Sequence, residues 1–166
     1  MLLNSINIEG IVDEGTLKEL CINDCKICDY NTNIHLNHDS GIKDIYQITL
    51  EPTLQNNRLL AFKDENILIL KGLTVIKILA VEDTIDNNIA FLQENVYFNF
   101  SFKFNIQNIH DIKIFIIDAC FNIINNHKIH CSLTYLFNFL KDETPKEKNI
   151  IHRDSFNLID ITQEFT

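Results

Sequence analysis

The clearest pattern in the chain lies between residues 67 and 104. In its second half Val96, Phe98, Phe100, Phe102 and Phe104 occupy every other position, with Tyr97, Asn99, Ser101 and Lys103 between them. A period of two is that of a strand with one apolar face. In its first half Leu68, Leu70, Leu73, Val75, Ile76, Ile78 and Leu79 are interrupted mainly by Lys71, Thr74 and Lys77. Such a run predicts a strand covered on both faces, so the two segments belong in the middle of a β core. The polar stretch 83–88 (DTIDNN) between them predicts a turn, where Asn takes a positive φ at low cost.

The rest of the chain divides around this pair. Residues 5–12 alternate Ile6 and Ile8 and break at Gly10, which predicts a short strand ending in a turn or bulge. Gly15 reads as closing a further turn; from Thr16 the pattern is ambiguous, since Leu17, Leu20 and Ile22 could begin a helical turn while Leu20, Ile22 and Asp24 also alternate, and a strand or extended arm is the favoured expectation. Ile34 and Leu36 give another brief alternation, whereas Ile42, Ile45, Tyr46 and Ile48 recur at spacings of three and four, which predicts a short helix stopped before Pro52. Gly72, inside a strand pattern, predicts a bulge or a close backbone approach. Residues 112–124 and 129–140 are two more apolar strands, joined as a hairpin across Asn125 and Asn126. The segment 141–149 (KDETPKEKN) reads as a charged linker, and residues 150–166 resume with Phe156, Leu158 and Ile161 as a tail able to dock. The expected fold is all-β: a β-sandwich or curled antiparallel, jelly-roll-like sheets, with at most one short helix near Ile42–Ile48. Its expected division is an N-terminal strand and cysteine-bearing arm (1–32), a β domain (33–140), the linker (141–149) and the docking tail (150–166).

Composition supports a folded chain and narrows its partners. Of 166 residues, 46% are apolar and 22% charged, outside the range of disordered sequences. The net charge of −9 and pI near 5.0 argue against nucleic acid and anionic membrane as partners, because that affinity comes from Lys and Arg. No apolar run reaches the ~18 residues of a spanning helix, so no membrane insertion is expected. Residues 1–10 carry neither a basic start nor an apolar run of signal length, from which synthesis in the cytosol is expected.

Cys21, Cys25 and Cys28 form the sharpest motif, C-x3-C-x2-C. The same spacing holds the cluster of radical enzymes using S-adenosylmethionine, but those need a large βα barrel and glycine-rich loops, and this chain has four glycines. Zinc is a weak alternative, with His35 and His38 completing a set with the three cysteines. An odd number of cysteines permits free thiols, a metal or bonds between chains; because a cysteine-rich arm near a terminus can reach a second subunit, Cys21, Cys25 and Cys28 are candidates for interchain disulfides ahead of zinc, beside the plain reading of three ordinary thiols. Cys120 and Cys131 lie in apolar strands and read as small buried hydrophobes. His110, His127, His130 and His152 define no nucleophilic arrangement, and Glu82, Asp83 and Asp86 read as a solvated turn. The phenylalanine stripe reads as core, with a ligand groove as the minor alternative. No catalytic residue, enzyme activity or cofactor is expected.

Three segments carry a resemblance: 41–48 (GIKDIYQI), 69–73 (ILKGL) and 78–83 (ILAVED), followed by the aromatic strand 96–104. Together they resemble the SPOCS domain, also called DUF3794, of spore-forming bacteria. Ile42 and Leu79 depart from its pattern, where proline and an aromatic would stand, and the Pro-Phe element that closes its aromatic strand is missing. The likeness extends over about residues 33–140 and consists of packing patterns without a chemical signature. It implies a structural, non-enzymatic protein made in the mother-cell cytoplasm and carried to the spore coat or spore surface. There it would associate with copies of itself or with other coat proteins through sheet edges, terminal arms and interchain disulfides. The alternative is a soluble cytosolic adaptor, or a ligand- or glycan-binding β module, of sporulating cells.

Overall fold

The structure, a computed structural model, describes residues 6–20, 24–62, 65–104 and 109–141. Within them the elements run β1 (Asn7–Glu9), α1 (Glu14–Leu20), β2 (Cys25–His35), β3 (Ile42–Ala61), β4 (Asn66–Glu82), β5 (Ile89–Phe104), β6 (Ile109–Asn125) and β7 (Lys128–Lys141). Two sheets result, one in the order β1-β3-β4-β5 and the other β2-β7-β6. Every pairing is antiparallel except the short parallel contact of β1 with β3. The fold is therefore the expected all-β, sandwich-like architecture with one short helix.

The two strands of residues 67–104 lie side by side as β4 and β5 without a register slip, from Asn66 opposite Phe104 to Val81 opposite Ile89. The turn between them holds Asn87 at a φ of 47°. On β4, Leu68, Leu70, Ile76, Ile78 and Ala80 face the second sheet and are buried, while Ile67, Ile69, Leu73, Val75 and Leu79 on the other face are half-buried. The expected hairpin also forms, with β6 and β7 joined at residues 126–127. From β7, Ile129, Cys131, Leu133, Tyr135, Phe137 and Phe139 fill the space between the sheets.

The helix expected at Ile42–Ile48 is instead the start of the 20-residue strand β3. Its register against β4 shifts between Ile42 and Asp44 and again between Ile45 and Gln47. Each bulge adds one residue, which stretches the apolar period from two to three and puts Ile42, Ile45 and Ile48 on the same buried face. A twice-bulged strand thus imitates helical spacing. Pro52 does not stop the element: it lies beyond the three β3 residues that β1 pairs, where that side of β3 is an edge and a missing N–H costs little.

The one helix among the described residues is α1, where the alternation had predicted an extended arm. No residue of α1 is buried, and the apolar spacing is faint: Leu17 and Leu20, which allowed a helical turn, are only half-buried. Its signal is polar: Asp13 caps the helix, accepting from the Thr16 N–H (2.9 Å) and the Thr16 hydroxyl (2.8 Å). Those bonds hold the Asp13 carboxyl below its ordinary value. Gly15, read as a turn, lies inside α1. The expected arm and β domain also share an element, because β2 runs from Cys25 to His35 across residues 32 and 33 and pairs with β7 along its length.

Two glycines make this packing possible. Gly10, at a φ of +92°, lets the chain leave β1 and cross to the other sheet, where Ile11 bridges Ile116 and the Val12 N–H donates to the Ile116 carbonyl (2.9 Å). Gly72 lies under the Phe98 ring and beside the Thr53 carbonyl, each 2.3 Å from where a Cβ would stand. It is the close approach that the sequence predicted, matched by a register shift on β3 between Leu54 and Asn56. Replacing Gly72 by Ala must displace the Phe98 ring or the β3 backbone. The expected loss is about 2–3 kcal/mol in urea or thermal unfolding. Wild-type stability in Gly72→Ala would mean the approach is looser than described.

Candidate functional site

The sandwich is closed on one side and open on the other. On the closed side the Gly10–Val12 crossing ties β1 and β3 to β6. On the open side β2 and β5 are the outermost described strands of their sheets and are not hydrogen-bonded to each other. Between them runs a groove of about 340 Å³, lined among others by Tyr30, Ile34, His35, Glu94, Val96 and Tyr97.

Glu94 is the unusual residue of this groove. Its backbone stands opposite Ile76, a fully buried inner position, so Glu94 shares the face of Leu92, Val96 and Phe98. Burial raises its carboxyl above the ordinary value. A charge on the inner face of an outermost strand is one of the ways a sheet edge is guarded against casual pairing. The opposite face of β5 is greasy where it meets solvent: Ile89, Phe91 and Tyr97 are 64%, 66% and 61% exposed, beside Leu73 and Leu79 of β4. Parity would have found Glu94 in the sequence, since it interrupts the apolar set that continues through Leu92.

The aromatic stripe of β5 turns inward. Val96 and Phe98 are buried, and Phe100 and Phe102 are half-buried. Phe98 stands 4.8 Å from Tyr135 and 6.1 Å from Phe137, ring centre to ring centre, and Phe100 and Phe102 reach Phe137 at 5.5 and 5.8 Å. These are ordinary offset and edge-to-face packing distances. The stripe is filled with side chains of the facing sheet, so it is core where sequence left core or groove open. Amid these rings the Thr74 hydroxyl and the Tyr135 phenol share a buried hydrogen bond of 2.7 Å.

The described members of the zinc set do not converge. Cys25 stands at the start of β2 opposite Asn138, and His35 at its end opposite Lys128. Ten residues of extended strand separate them by about 33 Å. His38 lies past the strand, with Nε2 3.3 Å from the Glu82 carboxylate. Among the described residues no group of three or more His, Cys, Asp or Glu side chains could hold a metal ion, and β2 keeps Cys25 and His35 apart. Cys28 is half-buried against the core, and burial raises its thiol above the usual value. Cys21 lies outside the described residues, as do the tail residues Phe156, Leu158 and Ile161. No disulfide joins two of the described cysteines. Cys131 is buried as expected, but Cys120 is exposed, because adjacent residues of a strand point to opposite faces and Phe121 takes the inward place opposite Cys131.

What this arrangement offers chemically is packing and hydrogen bonding along a strand edge. No family model, curated protein or solved structure matches the chain.

Two outcomes follow from the buried groups. Thr74→Val leaves the Tyr135 phenol without its partner in an apolar surrounding and is expected to cost about 1–3 kcal/mol. The double variant with Tyr135→Phe recovers much of that loss in a urea titration. Equal instability of single and double variants would show that packing, not the hydrogen bond, is at stake. The second outcome concerns alkali. Burial pushes the Cys131 thiol up to about 12, from 9.0, and also raises the Tyr135 phenol. Both prefer their neutral forms in the fold, so their contribution is intact below pH 9 and lost as pH rises toward 12. The melting temperature should hold steady to about pH 9 and then fall, less steeply in Tyr135→Phe; a flat profile to pH 11 contradicts this.

Proposed function

We propose that the chain is a structural, non-enzymatic subunit of a spore coat or spore-surface assembly, associating with copies of itself or with other coat proteins. The observation that carries the reading is the open side of the sandwich. There β5, whose outer edge no described strand pairs, carries the exposed apolar residues Ile89, Phe91 and Tyr97. Apolar residues clustered beside an open edge are a means of strand-to-strand association.

The resemblance to the SPOCS domain supplies the biological setting. Its segments fall on packing positions: Ile42, Ile45 and Ile48 of β3, Gly72 beneath Phe98, and Ile78, Ala80 and Val81 at the far end of β4 are all buried. Likeness confined to such positions fits a scaffold that acts through its surface. The chain would be made in the mother cell and deposited on the spore, with interchain disulfides through Cys21, Cys25 or Cys28 as reinforcement. The adaptor alternative rested on an open phenylalanine groove, and the filled stripe weighs against it.

Size-exclusion chromatography with multi-angle scattering, followed by negative-stain microscopy, tests the reading. Species larger than the 19.3 kDa chain are expected, with ordered or polymeric particles at high concentration. A strictly monomeric protein with and without reductant would sink self-assembly. On non-reducing gels of spore material, a ladder that collapses with reductant is the expected sign of interchain bonds.

A further inference from the structure

We propose that the free edge of β5 is the binding site of this chain's own segment 150–158, which adds to it as an antiparallel strand with Arg153 facing Glu94. The inference competes with association between chains for the same edge and does not depend on any role in spores.

Three observations converge. The first is position. β7 ends at Lys141, whose ammonium pairs with the Asp24 carboxylate at the foot of β2, and Phe102 packs on Phe139 at that same end of the sandwich. The chain therefore leaves at the foot of the open side. β5 runs down to that end, so a segment returning upward beside it is antiparallel. Nine peptide steps from Lys141 to Ile150 span about 30 Å when extended. Tyr97 stands seven residues above the lower end of β5, about 23 Å along it.

The second is charge. Glu94 is the acid on the inner face of β5 at the groove, half-buried, with desolvation as the cause of its raised carboxyl. The other titratable groups lining the groove are His35, Tyr30 and Tyr97, none of them a permanent cation. The chain has only two arginines, Arg58 in β3 and Arg153. A guanidinium fits a carboxylate at an edge better than an ammonium does, since it can bind both oxygens.

The third is register, and it decides the segment. Placing Arg153 opposite Glu94 in an antiparallel pair sets Ile151 opposite Val96 on the inner face. On the outer face it sets Ile150 opposite Tyr97, Phe156 opposite Phe91 and Leu158 opposite Ile89. Those three are the large apolar residues of β5 left more than half exposed. One register thus pairs the half-buried acid and covers all three exposed apolar residues, and cross-strand pairs of this kind stabilise a sheet. A shift by one residue would carry Phe156 and Leu158 to the opposite face and bring Arg153 beside Gln93 or Asn95.

Hydrogen exchange followed by mass spectrometry on the full chain tests this. The edge-directed amides of residues 89–97 should exchange slowly. Glu94→Lys and Arg153→Glu should each speed that exchange by about tenfold or more, with β4 and β7 unchanged as evidence of an intact fold. The exchanged pair, Glu94→Lys with Arg153→Glu, should restore protection, which a merely destabilising effect would not. Phe156→Asp with Leu158→Asp should abolish protection and raise binding of a hydrophobic dye. Edge amides exchanging at the rate of free chain in the unmodified protein, or no rescue in the charge exchange, would overturn the assignment. Protection that disappears on dilution together with a dimer in light scattering would assign the segment to a neighbouring copy and overturn its placement within one chain. A monomer with a protected edge would leave the inference standing while removing self-assembly.

Discussion

Among the described residues the hydrogen bond between the Thr74 hydroxyl and the Tyr135 phenol is the one side-chain hydrogen bond between buried groups, and it joins the two sheets. A hydroxyl buried among phenylalanine rings has few places to find a partner, and an unmade bond there costs more than an apolar contact gains. Sliding β4 by one residue against β7 would strand both groups, so this pair selects one alignment from the many that apolar contact alone tolerates. The aromatic packing follows. With Tyr135 fixed, Phe98 lies across it, Phe100 and Phe102 stack down β5 against Phe137, and Gly72 yields the room that Phe98 occupies.

That interior leaves the two flanks unequal. A sandwich must seal both sides or leave edges exposed, and among the described residues the short β1 and the Gly10 crossing seal only one. On the other flank the outer strands lie near each other without bonding, and the interior would be open to any passing strand if its rim were wholly apolar. Glu94 breaks that rim. An ionised carboxylate at this place makes it costly for an arbitrary apolar strand to enter, while a strand bearing a cation in the right position is favoured. The same residue can therefore exclude most strands and select one.

The core was legible in the sequence, and the reasons for the misses are physical. Alternation found β5 and β7, each of which turns one regular face inward, while β4 and β6 stood out as near-continuous apolar runs, β6 burying Ile109, Ile112, Ile116 and Phe121 across three register shifts; Gly72 and Asn87 announced their roles by residue type. It failed at β3, where two bulges changed the period to three and Ile42, Ile45 and Ile48 took on a helical appearance. It failed at α1, which buries nothing and whose evidence was the cap, Asp13 with Thr16 three residues on. For the weak zinc alternative the geometry is unfavourable: Cys25, Cys28 and His35 lie along β2, with Cys25 and His35 at its two ends. The groove was the hardest to read, because β2 and β5 are more than 50 residues apart in sequence and meet only through the sheets to which each belongs.

Net charge sets the terms on which such an edge can work. At −9, two copies repel each other at a distance, and Glu94 adds to that field at the very edge where they would meet. Association driven by long-range attraction is therefore closed to this surface. What remains is short-range: backbone hydrogen bonds along β5, apolar cover for Ile89, Phe91 and Tyr97, and one cation supplied to one acid. Each acts only within a few ångströms and only in register, so this edge rewards a strand of matching sequence far more than a merely greasy one. Specificity at the open flank thus comes from the same rule of alternation that builds the core, applied to a strand that must satisfy both faces at once.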